Sequence, residues 1–202
     1  MIERITADAP LLGPFGAIPP QCYHYILSRP HGAYSDLDVA KIIGGYFEFC
    51  GRTGISAVIA ISQLIHETGN LTSALSQRED PDGNPCRNPA GIGVNGERSA
   101  TPQPGFVYDA DRGCYRRCCG FTSWRDEAIP AHIGRLLAYA LKPGAGTDLQ
   151  KLLIRRALSV RLLPQSYRGS APTLRGLEGR WAVPGHGYAD KIAAIANAIR
   201  SV

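Results

Sequence analysis

From about Asp36, apolar residues return every three or four positions. Val39, Ile42, Ile43, Tyr46 and Phe47 then share one face of a helix, with Asp36 or Asp38 placed to cap it. A short loop, CGRTG, leads to a second helix from about Ser56 to His66. Val58, Ile59, Ile61, Leu64 and Ile65 make it apolar on most sides, which marks it as central. Helical spacing resumes at about Asp126 with Ile129, Ile133, Leu136 and Leu137, and again from about Asp148 to Val160. A last helix starts near Gly187, where Tyr188, Ile192, Ile195 and Ile199 line up.

Between these stretches the pattern changes. Residues 76–120 are rich in Pro, Gly, Asn, Asp and Arg and show little periodicity. Two β-prone pieces, around Phe106–Tyr108 and Cys114–Phe121, flank residues 109–113 and read as a hairpin with a five-residue loop. Residues 1–35, with Gly13-Pro14 and Pro19-Pro20, read as an irregular arm wrapped on the body. Residues 164–187 form a Gly/Pro-rich loop that holds Trp181. The expectation is one mainly α (α+β) domain over residues 36–202. Residues 76–120 are a small β insertion in it, and a cleft lies between the two parts.

Composition narrows the classes. Hydrophobic residues make up 44% and charged residues 19%, which excludes intrinsic disorder. No run approaches the roughly 18–20 apolar residues of a membrane span, so no membrane insertion is expected. Lys and Arg number 22 against 17 Asp and Glu, a net charge of +5, and 18 of the 22 are Arg. A basic surface points to a polyanion: nucleic acid, anionic lipid or anionic cell wall. The arginines are dispersed and form no stripe with aromatics, which argues against nucleic acid. The start, MIERITADAPLLGPFGAIPP, shows no basic segment before an apolar one, so no signal peptide is visible. The six cysteines allow disulfides, free thiols or, as an alternative, a four-thiolate zinc site on Cys86, Cys114, Cys118 and Cys119. That spacing is not the one of common zinc ribbons.

The most informative segment is QLIHETGNLTS, Gln63 to Ser73. Glu67 lies at the carbonyl end of the most apolar helix, where desolvation and the helix dipole both disfavour the anion. A carboxyl kept protonated near neutrality suits proton donation to a glycosidic leaving oxygen. His66-Glu67 suggests a zinc peptidase, but HExxH needs a second His one turn on, and Asn70 stands there. No GxSxG, GxxxxGK[ST] or GxGxxG motif is present.

Four blocks resemble the glucosaminidase domain of bacterial cell-wall hydrolases, glycoside hydrolase family 73. AISQLIHETGNLTS (60–73) is similar to the family's catalytic-Glu block, and RNPAGIGVNG (87–96) to the block after the catalytic helix. FTSWRDEAIPAHIGRLL (121–137) and GYADKI (187–192) resemble the stretch after the hairpin and the block opening the last helix. The blocks keep the family's order over roughly residues 36–200. Asn70-Leu71-Thr72 replaces the usual aromatic-rich loop, and the cysteines are not a family feature.

The resemblance implies a lysozyme-like fold with two lobes and a central cleft. It implies cleavage of the N-acetylglucosaminyl-β-1,4-N-acetylmuramic acid bond of peptidoglycan, with no cofactor, by a monomer acting on the cell wall. Glu67 would be the general acid. Glu97 would be the second carboxylate, with Asp109 and Asp111 as rivals, and substrate-assisted attack by the N-acetyl group would need none in the first step. Tyr188 would be the cleft tyrosine. Substrate contacts would come from Gln63, from Asn88 and the turn at Gly91–Asn95, and from Trp124, Tyr139 and Trp181 as stacking platforms. A lytic transglycosylase, a muramidase-type cleavage and a non-catalytic wall-binding module are the alternatives.

Overall fold

The computed structural model describes residues 4–13 and 16–202; Pro14 of the Gly13-Pro14 step lies outside them. Among the described residues six α-helices carry the fold: α1 (Pro19–Leu27), α2 (Asp36–Thr53), α3 (Ala57–Thr68), α4 (Ile129–Ala140), α5 (Asp148–Val160) and α6 (Tyr188–Arg200). A three-stranded antiparallel sheet of β1 (Arg98–Ser99), β2 (Phe106–Asp109) and β3 (Cys114–Arg117) interrupts them in the order β1-β3-β2. The class is mainly helical with a small sheet, as the periodicity predicts. No helix of the described residues is long and apolar enough to cross a membrane.

The helices form one core. In α3, Val58 to Leu64 are buried without a break, so this helix runs through the centre, against α6 on one side and α2 on another. Gly134 brings α4 against the backbone of α5 at Leu153, a contact that any side chain would prevent. The sheet sits over a separate small cluster of Leu75, Cys86, Val107 and Cys118.

The N-terminal arm departs from expectation. Pro19 and Pro20 open α1 rather than break the chain, because proline suits the first helical turn, where no backbone donor is needed. Ahead of α1, Ile5, Ala7, Ala9 and Leu11 are buried. Leu11 N donates to Pro172 O at 2.8 Å, and Arg175 N donates to Ala7 O at 2.7 Å. The described part of the arm is therefore packed into the body.

Three boundaries also shift. Ser35 caps α2 and accepts from Asp38 N, while Asp38 returns a carboxylate to Ser35 N at 3.0 Å, a reciprocal capping box. Neither Asp36 nor Asp38 is the cap itself. The helix expected from Asp126 begins as a wider π-type turn over Trp124–Ala128 before α4. Strand β3 ends at Arg117, short of the expected Phe121, and β1 has no periodic signal because it is two residues long.

All six cysteines are free thiols. Among the described residues no three His, Cys, Asp or Glu side chains converge as a metal site. Cys86, Cys114, Cys118 and Cys119 do not come together as a four-thiolate group in this structure. Cys86 and Cys118 pack as hydrophobes under the sheet, while Cys114 and Cys119 lie outside that cluster's buried core.

Candidate active site

Helix α3 ends just past Glu67. Gly69 takes a left-handed conformation (φ 57°), and its N–H closes the helix on Ile65 O. Asn70 (φ 60°) and Leu71 (φ 67°) stay left-handed, so three successive residues turn the chain away from the helix axis. The turn is held from both sides. Asn70 Nδ2 donates to Ile26 O and Pro30 O, and Leu71 N donates to Thr68 Oγ1. It leaves the Glu67 carboxyl at the mouth of a pocket of about 310 Å³, with Ser73, Asn88, Gly91, Arg112, Arg116 and Trp181 around it.

Behind Glu67 runs a buried chain of hydrogen bonds. The Tyr188 hydroxyl donates to Glu67 Oε1 at 2.6 Å. Gln63 Nε2 donates to that hydroxyl at 2.7 Å. Gln63 Oε1 meets His132 Nε2 at 2.9 Å, and His132 Nδ1 meets the Tyr46 hydroxyl at 2.7 Å. An amide oxygen only accepts, so His132 Nε2 carries the proton and Nδ1 accepts from Tyr46. Every donor then points towards Glu67. Burial pushes the His132 pKa down to about 3, so the ring is neutral and this tautomer persists across physiological pH. His66 lies edge-on to the Tyr188 ring at 5.4 Å. It packs there against the ring.

Burial raises the Glu67 pKa above its ordinary value, and hydrogen bonding from Tyr188 and Trp181 pulls it partly back. The two effects oppose each other at one carboxyl, with burial the larger. Opposite it, the backbone comes close at Gly91, where a Cβ would stand 3.5 Å from Glu67 Oε2. Asn88 organises that loop. Its Oδ1 accepts from Ala90 N and Ile92 N, and its Nδ2 donates to Ile92 O, Cys118 Sγ and Cys119 O.

The expected residues divide into groups. Glu67, Asn88, Gly91 and Trp181 line one pocket, and Tyr188 stands behind the carboxyl. Asn95 and Tyr139 line an adjoining pocket, with Gly91 and Trp181 shared between the two. Gln63 is fully buried and spends its amide on Tyr188 and His132, so it positions Tyr188 and touches no solvent. Trp124 is turned elsewhere: it donates to the Tyr34 hydroxyl and lines a separate hollow with Lys41 and Arg78.

The carboxylates proposed to partner Glu67 do not line its pocket. Glu97 is exposed and held by Asn95, and lies 3.7 Å from Arg117. Asp111 accepts from Ala74 N. Asp109 is buried and accepts from Arg112 Nη1 at 3.0 Å and from Arg116 Nη1 at 2.9 Å. It thereby fixes two arginines that the sequence reading passed over and that do face the pocket. Tyr46 and His132 were also passed over, because on an apolar helix face each looks like a core residue.

Another concavity, of about 930 Å³ beside α5, lies away from these groups, and its Glu48 is spent on Arg125. The smaller cleft is favoured because it holds a desolvated acid and a built supporting shell. Set against models of protein families, curated proteins and solved structures, the chain matches none.

Proposed function

We propose that the chain is a peptidoglycan hydrolase that cuts the N-acetylglucosaminyl-β-1,4-N-acetylmuramic acid bond, with Glu67 as general acid, on a lysozyme-like two-lobed fold. The observation that carries this reading is the half-buried Glu67 carboxyl at a cleft, backed by a directed chain of buried donors. The four sequence blocks add the substrate class. The enzyme would act on the wall, from outside the cell or after lysis.

Glu67 is the one carboxylate among the described residues lining its pocket, which favours the substrate-assisted route. The 2-acetamido oxygen bonds to C1 as the C1–O bond to the leaving sugar breaks. Glu67 supplies the proton that the leaving oxygen takes. Water then adds at C1, opens the ring formed by the acetamido group, and returns a proton to Glu67. Two inversions leave the β configuration in the first-formed product.

Glu67→Gln removes the transferable proton while keeping shape and hydrogen bonds. Cell-wall clearing by the purified protein should vanish in that variant, and retained clearing would sink the mechanism. A lone acid also fits a lytic transglycosylase. That enzyme would yield anhydromuramic ends instead of reducing glucosamine ends, and mass spectrometry of the products separates the two.

A further inference from the structure

Next to the Glu67 pocket, and sharing Ala90, Gly91, Val94 and Trp181 with it, is a second pocket of about 470 Å³. Three arginines face it from three elements: Arg135 from α4, Arg161 from the end of α5, and Arg180 from the loop before α6. No Asp or Glu is among its lining residues, and among the described residues none of the three makes a salt bridge.

Two of these side chains, Arg135 and Arg180, are held in place. Arg135 donates to Arg161 O at 3.0 Å and lies 5.8 Å and 5.9 Å from the ring centres of Tyr139 and Trp181. Arg180 donates to Gly176 O, and its own carbonyl accepts from the Tyr139 hydroxyl. The Cys119 thiol feels the charges of Arg161, Arg135 and Arg117, but burial outweighs them and pushes its pKa up, so it stays uncharged and neutralises none of them. Like charges gathered without a counter-ion in a partly desolvated hollow are unfavourable, and burial together with Arg161 lowers the Arg135 pKa. A bound anion would remove that cost. Guanidinium groups present paired donors that match a carboxylate.

We propose that this pocket is an anion subsite that takes a carboxylate carried by the sugar next to the cleaved bond. The identity of the anion rests on the hydrolase reading. A plain chitin-type chain is neutral and offers these arginines nothing. A muramic residue offers a carboxylate, either on its own lactyl arm or on the peptide attached there. The subsite would make the cleft select substituted wall glycan over unsubstituted glycan.

The test is calorimetric binding to the whole chain, measured without relying on turnover. Three small probes suffice: a glucosaminyl-muramyl-peptide, the same disaccharide with a free lactyl carboxylate, and neutral chitobiose. At least one anionic probe should bind about tenfold tighter than chitobiose. That gap should close in Arg135→Gln/Arg161→Gln and narrow in Arg180→Gln, whose exposed position spares the fold. If the free-lactyl probe binds tightly while the peptide probe, whose lactyl carboxyl is tied up as an amide, matches chitobiose, the lactyl carboxylate is the source. If only the peptide probe binds tightly, the peptide carboxylates are, and if both do, either carboxylate fills the subsite. Equal binding of all three, or a gap that survives in folded arginine variants, overturns the subsite. An arginine-dependent gap in a protein that cleaves no wall would keep the subsite and overturn the hydrolase.

Discussion

At the scale of single residues, the proposed chemistry turns on how two opposing effects balance at Glu67. Burial raises its pKa, and the Tyr188 hydroxyl holds it down. Removing that hydroxyl leaves burial less opposed. In Tyr188→Phe the alkaline limb of kcat/KM should therefore move to higher pH, and a pH–rate profile on wall fragments reads the shift directly. The same change strands the buried Gln63 amide donor, at about 1–3 kcal/mol of stability. Glu67 and Tyr188 were legible in the sequence, the first by its position at a helix end and the second by its block. His132 and Tyr46 were not, because nothing local separates a core histidine from one whose two ring nitrogens are both committed 69 and 86 residues away. Arg112 and Arg116 were missed for the same reason: only the buried Asp109 between them shows where they are aimed.

At the scale of elements, periodicity located five of the six helices, and the span Asp148–Val160 agrees end to end. Helix α1 lies in the stretch that reads as an irregular arm, because Pro19-Pro20 fits an irregular segment as well as it fits a first helical turn. The cap of α2 escaped by one residue, because Ser35, Asp36 and Asp38 are all good candidates and only the capping box chooses among them. Ser35→Ala removes that box and should cost about 1 kcal/mol. For a chain of this size thermal unfolding should drop by about 2–4 °C. The consequence reaches beyond α2, since Asp38 also pairs with Arg78 of the segment leading to the sheet. The left-handed run at 69–71 has a sequence signal at Gly69 and Asn70 but none at Leu71, because Leu is a poor residue for that conformation. Full burial of Leu71 and the two backbone bonds made by Asn70 hold the run in place.

At the scale of the whole molecule, two bulk properties follow. The first is acid sensitivity. Unfolded, His132 would titrate near its ordinary 6.5, whereas folded it titrates at about 3. Below about pH 6.5 the unfolded chain binds a proton that the native state refuses. The His132 contribution is thus complete above that pH and is lost as pH falls towards 3, at up to about 1.4 kcal/mol per pH unit. Glu67 works in the opposite sense: its folded pKa is raised, so its burial penalty grows as pH rises through that value. Melting temperature measured against pH should fall below 6.5 in the native protein and fall less steeply in His132→Gln. The second property is salt dependence. With a net charge of +5 and an arginine-lined groove, sedimentation with anionic walls should weaken as salt rises, while binding of neutral chitobiose stays level.

Sequence by itself determined the helical class, the place of the central helix, the hairpin and the acid at the helix end. Each is a local matter: spacing sets which face is buried, and a position at the end of an apolar helix sets the surroundings of a carboxyl. Tertiary structure alone decided which groups share a space. It made Gln63 a support, turned Trp124 to another face, and left Glu97 at the surface. It also gathered Arg135, Arg161 and Arg180 around one hollow. Such juxtapositions depend on how helices pack over long sequence separations, and no periodicity along the chain encodes which distant side chains will meet.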